Sequence, residues 1–196
     1  MIGAGEEFSE EEARQQFETN FWGAFNTTMG VLSQMKSQAA GKIIQISAIG
    51  GFAPFPGMSV YGASKIALEG LSASLAMEVA PFGIQVMSVL PGPMRTKWAG
   101  ESLKSPSKVL PEYEESVGKF KAFLGGINGK QPWSPNKTAM VIYEASQSDH
   151  APSRLFVGDL AVESAEKVIA KLASDLSNWK KQALSTKFDD AITPEH

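Results

Sequence analysis

Tyr61 and Lys65 stand four residues apart in the stretch Tyr61-Gly62-Ala63-Ser64-Lys65. On a helix that spacing puts both side chains on one face, with Cβ atoms about 5–6 Å apart. A phenol is a poor acid or base near neutrality because its unperturbed pKa is roughly 10. An ammonium fixed beside it favours the phenolate and draws that value down. Reaching 7 takes about three pKa units, on the order of 4 kcal/mol, which is more than one exposed lysine supplies. A second positive charge has to contribute the rest. Such a pair can pass a proton to or from an oxygen of a bound molecule. The same spacing also suits an ordinary surface contact between helix neighbours. Several other chemistries are excluded. The chain has no cysteine, so disulfides, thiolate nucleophiles and cysteine zinc sites are ruled out. Its two histidines, His150 and His196, are too few and too far apart for a histidine-rich metal site. Gly125-Gly126-Ile127-Asn128-Gly129-Lys130 is not a phosphate loop, because position 124 is Leu and Gln131 follows the lysine.

The elements that must position the pair are legible from periodicity. Ser9-Glu10-Glu11-Glu12 has the form of a capping box, with Phe8 and Ala13 placed for a small hydrophobic staple. From there Ala13, Phe17, Phe21, Ala24, Phe25, Thr28, Leu32 and Met35 recur at three- and four-residue steps, predicting one long helix that ends before Gly41. Lys42–Ser47 reads as a short buried strand, followed by a Gly/Pro-rich loop to about Met58. A second long helix is predicted from Ser59 to Ala80, and a second apolar strand from Ile84 to Leu90, stopped by Pro91-Gly92-Pro93. Residues 97–135 mix short helical signals with Trp98, Leu110, Tyr113, Phe120, Phe123, Leu124 and Trp133. A helix from about Asn136 to Ser148, a strand at Arg154–Gly158 and a helix from Val162 to about Thr186 complete the pattern, with a frayed tail to His196. Helices alternating with short apolar strands predict an α/β fold with a parallel sheet. Three strands make a small one.

In this setting the chain resembles the short-chain dehydrogenase/reductase family, whose signature is Tyr-x-x-x-Lys. The family's order is an Asn in a long helix, a Ser after a strand, the Tyr/Lys pair, then a Pro-Gly-x-x-x-Thr turn. Here these are Asn20, the strand Ile43–Ser47, Tyr61 with Lys65, and Pro91-Gly92-Pro93-Met94-Arg95-Thr96. The resemblance is strong over about residues 6–100. It implies a partial Rossmann-like, doubly wound parallel sheet and an oxidoreductase moving a hydride between NAD or NADP and an alcohol or ketone. It also implies roles: Tyr61 as general acid/base, Lys65 holding the phenolate and the nicotinamide ribose, and Asn20 holding a relay water by side chain or distorted backbone. Pro91 and Gly92 would present backbone to the nicotinamide, and Thr96 would donate to its carboxamide.

Two departures stand out. The family's serine lies 13 residues before the tyrosine, a position occupied here by Ala48. Ser47 precedes it, and alternation along the strand aims it at the other face unless a bulge re-aims it. The glycine-rich cofactor turn that precedes the Asn-bearing helix in the family is missing: Gly3-Ala4-Gly5 lacks a strand before it and has Phe8 where the third glycine belongs. The resemblance therefore reads as an N-terminally shortened member, one domain over 1–196 with 97–135 as a substrate lid, binding NAD or NADP too weakly to measure alone. Its first strand would be an exposed edge.

Composition bounds the partners. The formal charge is −3, from 18 Lys plus Arg against 21 Asp plus Glu, which argues against a nucleic-acid binder. No apolar stretch reaches a membrane span and the opening residues lack a secretion leader, so a cytoplasmic protein is expected. The aromatics of 97–135 suggest a bulky apolar substrate, or equally a lid that forms its own small core. Two other readings remain: an inactive pseudoenzyme or dimerisation partner for itself or a full-length relative, and a non-redox isomerase or dehydratase on the same scaffold.

Overall fold

Ser9 starts the first helix as its spacing predicts. Its Oγ accepts from the Glu12 amide at 3.2 Å while the Glu12 carboxylate accepts from the Ser9 amide at 2.9 Å. The structure, a computed structural model, describes residues 1–188; the tail to His196 lies outside them. Helix α1 (Glu10–Phe17) runs through one widened turn, Glu18–Trp22, into α2 (Gly23–Gln38). In that turn the Gly23 amide reaches back five residues to the Glu18 carbonyl, a π-type bond. The single helix expected there therefore has its register broken in the middle, at Asn20. It ends on Ala39, whose φ of +50° is left-handed.

Three strands follow, β1 (Gly41–Ile46), β2 (Ile84–Pro91) and β3 (Arg154–Val157), each parallel to its neighbour in the order β1-β2-β3. Between β1 and β2 lie α3 (Ile49–Phe52) and α4 (Ser59–Val79). Between β2 and β3 lie α5 (Lys119–Ile127) and α6 (Pro135–Gln147), and α7 (Asp159–Leu184) closes the described chain. The α/β, partial Rossmann-like sheet is thus present. Two boundaries differ from the sequence reading. Residues 49–52, expected in a loop, form the helical turn α3, and α7 begins three residues early because Ala161 and Ala165 pack against Ile49 and Ala53.

Alternation along β1 and β2 sorts the two faces. Ile43 opposes Val86, and Gln45 opposes Ser88, so these four share a face. There Ile43 and Ile84 pack with Leu75 and Val79 of α4, and with Met29, Leu32 and Met35. Truncating a buried leucine such as Leu75 costs about 2–5 kcal/mol. Gln45 is buried on the same face because its amide donates to Thr28 Oγ1 at 2.7 Å. Lys42 points to the other face and donates to the Ser146 carbonyl of α6. Helices therefore cover both faces, as a parallel sheet requires. Among the described residues no strand pairs with the outer side of β1.

Candidate functional site

The carboxyl ends of β1 and β2 open into a cavity of about 340 Å³. Asn20, Ser47, Ala48, Tyr61, Lys65, Pro91, Gly92 and Thr96 all line it, so the residues singled out from sequence converge on one place. Their convergence rests on close backbone contact between α3 and α4. A Cβ on Gly62 would lie 2.7 Å from the Gly50 carbonyl oxygen, and one on Gly51 would lie 2.8 Å from Lys65 Cβ. Only glycine permits that approach.

Tyr61 opens the first turn of α4, half-buried, with its ring centroid 5.8 Å from that of Trp98. Burial pushes its phenol up to about 12. One turn on, Lys65 Nζ donates to the Ile46 carbonyl at 2.8 Å, and burial lowers its pKa. The lowering expected from a neighbouring ammonium is therefore not the net outcome, in line with the need for a second positive charge. Desolvation outweighs the ammonium, whose nearest acceptor is the end of β1. An ammonium has three N–H groups, and the described residues engage one of Lys65's.

Asn20 reaches this helix from the π-turn. Its Nδ2 donates to Ser64 Oγ at 3.0 Å, and Ser64 Oγ donates to the Tyr61 carbonyl at 2.7 Å. The side chain is thus used to dock the π-turn on the Tyr61 turn. Sequence reasoning missed Ser64; its place between Tyr61 and Lys65, on a helix that must receive a second helix, was the available signal.

Ser47 is placed differently from Ala48. Its Oγ donates to Glu69 Oε1 at 2.8 Å, and Glu69 Oε2 accepts from Arg154 Nε at 2.9 Å. The bulge that would re-aim it is absent, since β1 pairs in unbroken register to Ile46 opposite Val89, and the Ser47 amide continues to the Val89 carbonyl. Ser47 ties β1 to α4 and β3, and only a methyl group stands at position 48.

The rest of the wall is apolar: Phe55, Met58, Trp98, Phe120, Phe123 and Leu124. Phe55 and Phe120 stack at 5.6 Å, and Ile2, Met58 and Leu124 form a buried cluster behind them. The aromatics of 97–135 therefore both line the cavity and build a core of their own.

Residues suited to the nicotinamide end of a dinucleotide are present. Lys65 has donors to spare, and Thr96 Oγ1 accepts from the Trp98 amide at 3.3 Å, leaving its proton to donate. The pyrophosphate end fares otherwise. Gly3-Ala4-Gly5 offers no phosphate turn, since its Ala4 amide is taken by the Glu7 carboxylate at 2.7 Å. Among the described residues there is no group of three metal-ligating side chains, and no helix is long and apolar enough to cross a membrane.

A family model described as short chain dehydrogenase matches residues 2–106. An oxidoreductase of Botryotinia fuckeliana is 36% identical over 171 residues, covering 87% of this chain and 62% of that protein. A short-chain dehydrogenase structure from Streptomyces avermitilis superposes with a TM-score of 0.88 at 37% identity, over 95% of this chain and 68% of the other. A gluconate 5-dehydrogenase from Burkholderia cenocepacia, solved with NADP and tartrate, aligns at 25% identity with a TM-score of 0.50, over 51% and 39%. This chain thus spans about three fifths of the length of its curated relative.

Proposed function

The chain belongs to the short-chain dehydrogenase family, and from that membership we propose that it carries the catalytic and substrate-binding part of an alcohol/ketone oxidoreductase using NAD or NADP. The observation that carries the reading is the shared cavity of Tyr61, Lys65 and Asn20 at the strand ends. When bound, the nicotinamide supplies or accepts the hydride. Lys65, with two N–H groups to spare, would hold the ribose; Pro91, Gly92 and Thr96 would hold the ring and its carboxamide.

Tyr61 handles the proton. With its phenol near 12 it is neutral at physiological pH, which suits donation from Oη to a ketone oxygen as that oxygen gains charge. Bringing it to ionise near 7 takes on the order of 7 kcal/mol, so the reverse direction needs positive charge beyond Lys65. Asn20 would hold the water that restores the proton through its side-chain oxygen or the π-turn backbone, its amide nitrogen being bonded to Ser64. The apolar wall excludes other water and favours a bulky apolar ketone, with 97–135 as the lid over it.

Ala48 favours a second reading, in which the chain no longer turns over and serves as a binding or dimerisation partner. Losing a hydroxyl that polarises the substrate oxygen costs about 10²–10³ in rate. The test is NADH or NADPH oxidation with a panel of apolar ketones at saturating cofactor. Slow turnover that Tyr61→Phe abolishes supports the first reading. Equal turnover in Tyr61→Phe removes the acid role. No turnover by a folded chain that calorimetry shows to have bound the cofactor selects the second.

A further inference from the structure

Helix α7 is 26 residues long, about 39 Å, yet the body of the molecule covers only its beginning. Ala161 and Ala165 are buried and Val168 packs beside them, against Ile49, Ala53 and Phe156. The stripe then runs on uncovered through Ile169, Leu172, Leu176 and Trp179, which are 53–69% exposed. From Val162 the steps are three, four, three, four and three residues: 162, 165, 169, 172, 176, 179. That is the a/d pattern of a helix made to pack along another helix. Four large apolar side chains in line do not belong in water.

We propose that α7 pairs in antiparallel fashion with α7 of a second copy of this chain. The body on the stripe's first third sets the direction. A parallel pair would force two bodies into the same end of the seam, whereas an antiparallel pair puts them at opposite ends. The charges agree. Setting Leu172 against Leu176 of the second copy, and Ile169 against its Trp179, brings Glu166 opposite Lys180 of the second copy, twice by symmetry. It also brings Ala173 opposite Ala173, small residues that let the helices approach. The one like-charged meeting, Asp175 with Asp175, is already neutralised within each helix by Lys171, whose Nζ lies 2.5 Å from Asp175 Oδ1. The seam is about two and a half heptads, so association depends on concentration. It involves none of the cavity residues and stands apart from the proposed activity.

Analytical ultracentrifugation over a concentration series should show a dimer dissociating to a 21.0 kDa monomer. Leu172→Glu should abolish the dimer. Glu166→Lys should weaken it about tenfold, and Glu166→Lys with Lys180→Glu should restore it. Because the chain has no cysteine, Ala173→Cys gives a single thiol that should form a disulfide dimer on mild oxidation. Trp179→Cys should not, since its copies lie at opposite ends. A wild-type chain that stays monomeric at every concentration overturns the proposal, as does a dimer that survives Leu172→Glu. Ready cross-linking of Trp179→Cys without Ala173→Cys overturns the antiparallel arrangement.

Discussion

A methyl group at Ala48 faces the cavity at the N-cap of α3, where backbone with φ −160° and ψ 152° carries no side-chain cap. A hydroxyl there adds one donor to the cavity wall, where the proposed reaction would put the substrate oxygen. Ala48→Ser is expected to raise kcat for ketone reduction about 10²-fold, and it remains dependent on Tyr61. The same hydroxyl can cap α3, worth about 1 kcal/mol, so rate and melting temperature are read separately. An unchanged kcat would remove the assigned role of position 48. The sequence exposed this vacancy by counting from Tyr61, but the orientation of Ser47 needed the partners Glu69 and Arg154, which come from elements 22 and 107 residues away. Nor was the fate of Lys65 visible, because its acceptor is a backbone carbonyl on another element.

Among the elements, strands and the start of α4 were legible because apolar runs and Pro/Gly stops are local signals. The π-turn was not. A 3.6-residue pattern with one widened turn keeps its apolar stripe, as Phe17, Phe21 and Phe25 do, so periodicity reads straight through it. Helix α3 was hidden for the opposite reason: Gly50 and Gly51 disfavour a helix on propensity, and tertiary contact with α4 decides. The end of α2 offers an expected gain. Ala39 sits at φ +50° and ψ 29°, where an L side chain strains and glycine does not. Ala39→Gly should stabilise by about 1 kcal/mol and raise Tm by roughly 2–4 °C in a calorimetric melt. A fall in Tm would show that the cap is held by something other than backbone geometry.

At the scale of the molecule, the opening residues act as a clasp for the segment after Thr96. Glu7 accepts from the Leu110 amide at 2.9 Å, Glu12 from the Ser107 amide at 2.8 Å, and the Ile2 amide donates to the Lys104 carbonyl at 2.9 Å. Bonds from Ser9 and Ser107 hold Glu12 well below its ordinary 4.5, at about 2, and the bond from Leu110 lowers Glu7 as well. Because both folded-state values are depressed, the clasp is whole above the ordinary carboxylate range and weakens as pH falls from about 4.5 toward 2. Hydrogen exchange at the Ser107 and Leu110 amides should lose protection across that window, after correction for intrinsic rates. Glu12→Gln should loosen Ser107 already at neutral pH and flatten its dependence. Protection that is indifferent to pH would mean the segment is held by its apolar side chains alone.

The contact of α3 with α4 has a consequence for how this protein can change. The cavity's aromatic wall is made of separate side chains, each free to be exchanged for another of similar bulk, so what the pocket prefers to hold is open to drift. The spacing between the Tyr61 and Lys65 turn and α3 is instead set by atoms that are missing at Gly51 and Gly62, and no side chain is smaller than none. Selection or design can retune the cavity wall here by small steps, while the alignment of the Tyr61 phenol and the Lys65 ammonium has no neighbouring variants to explore.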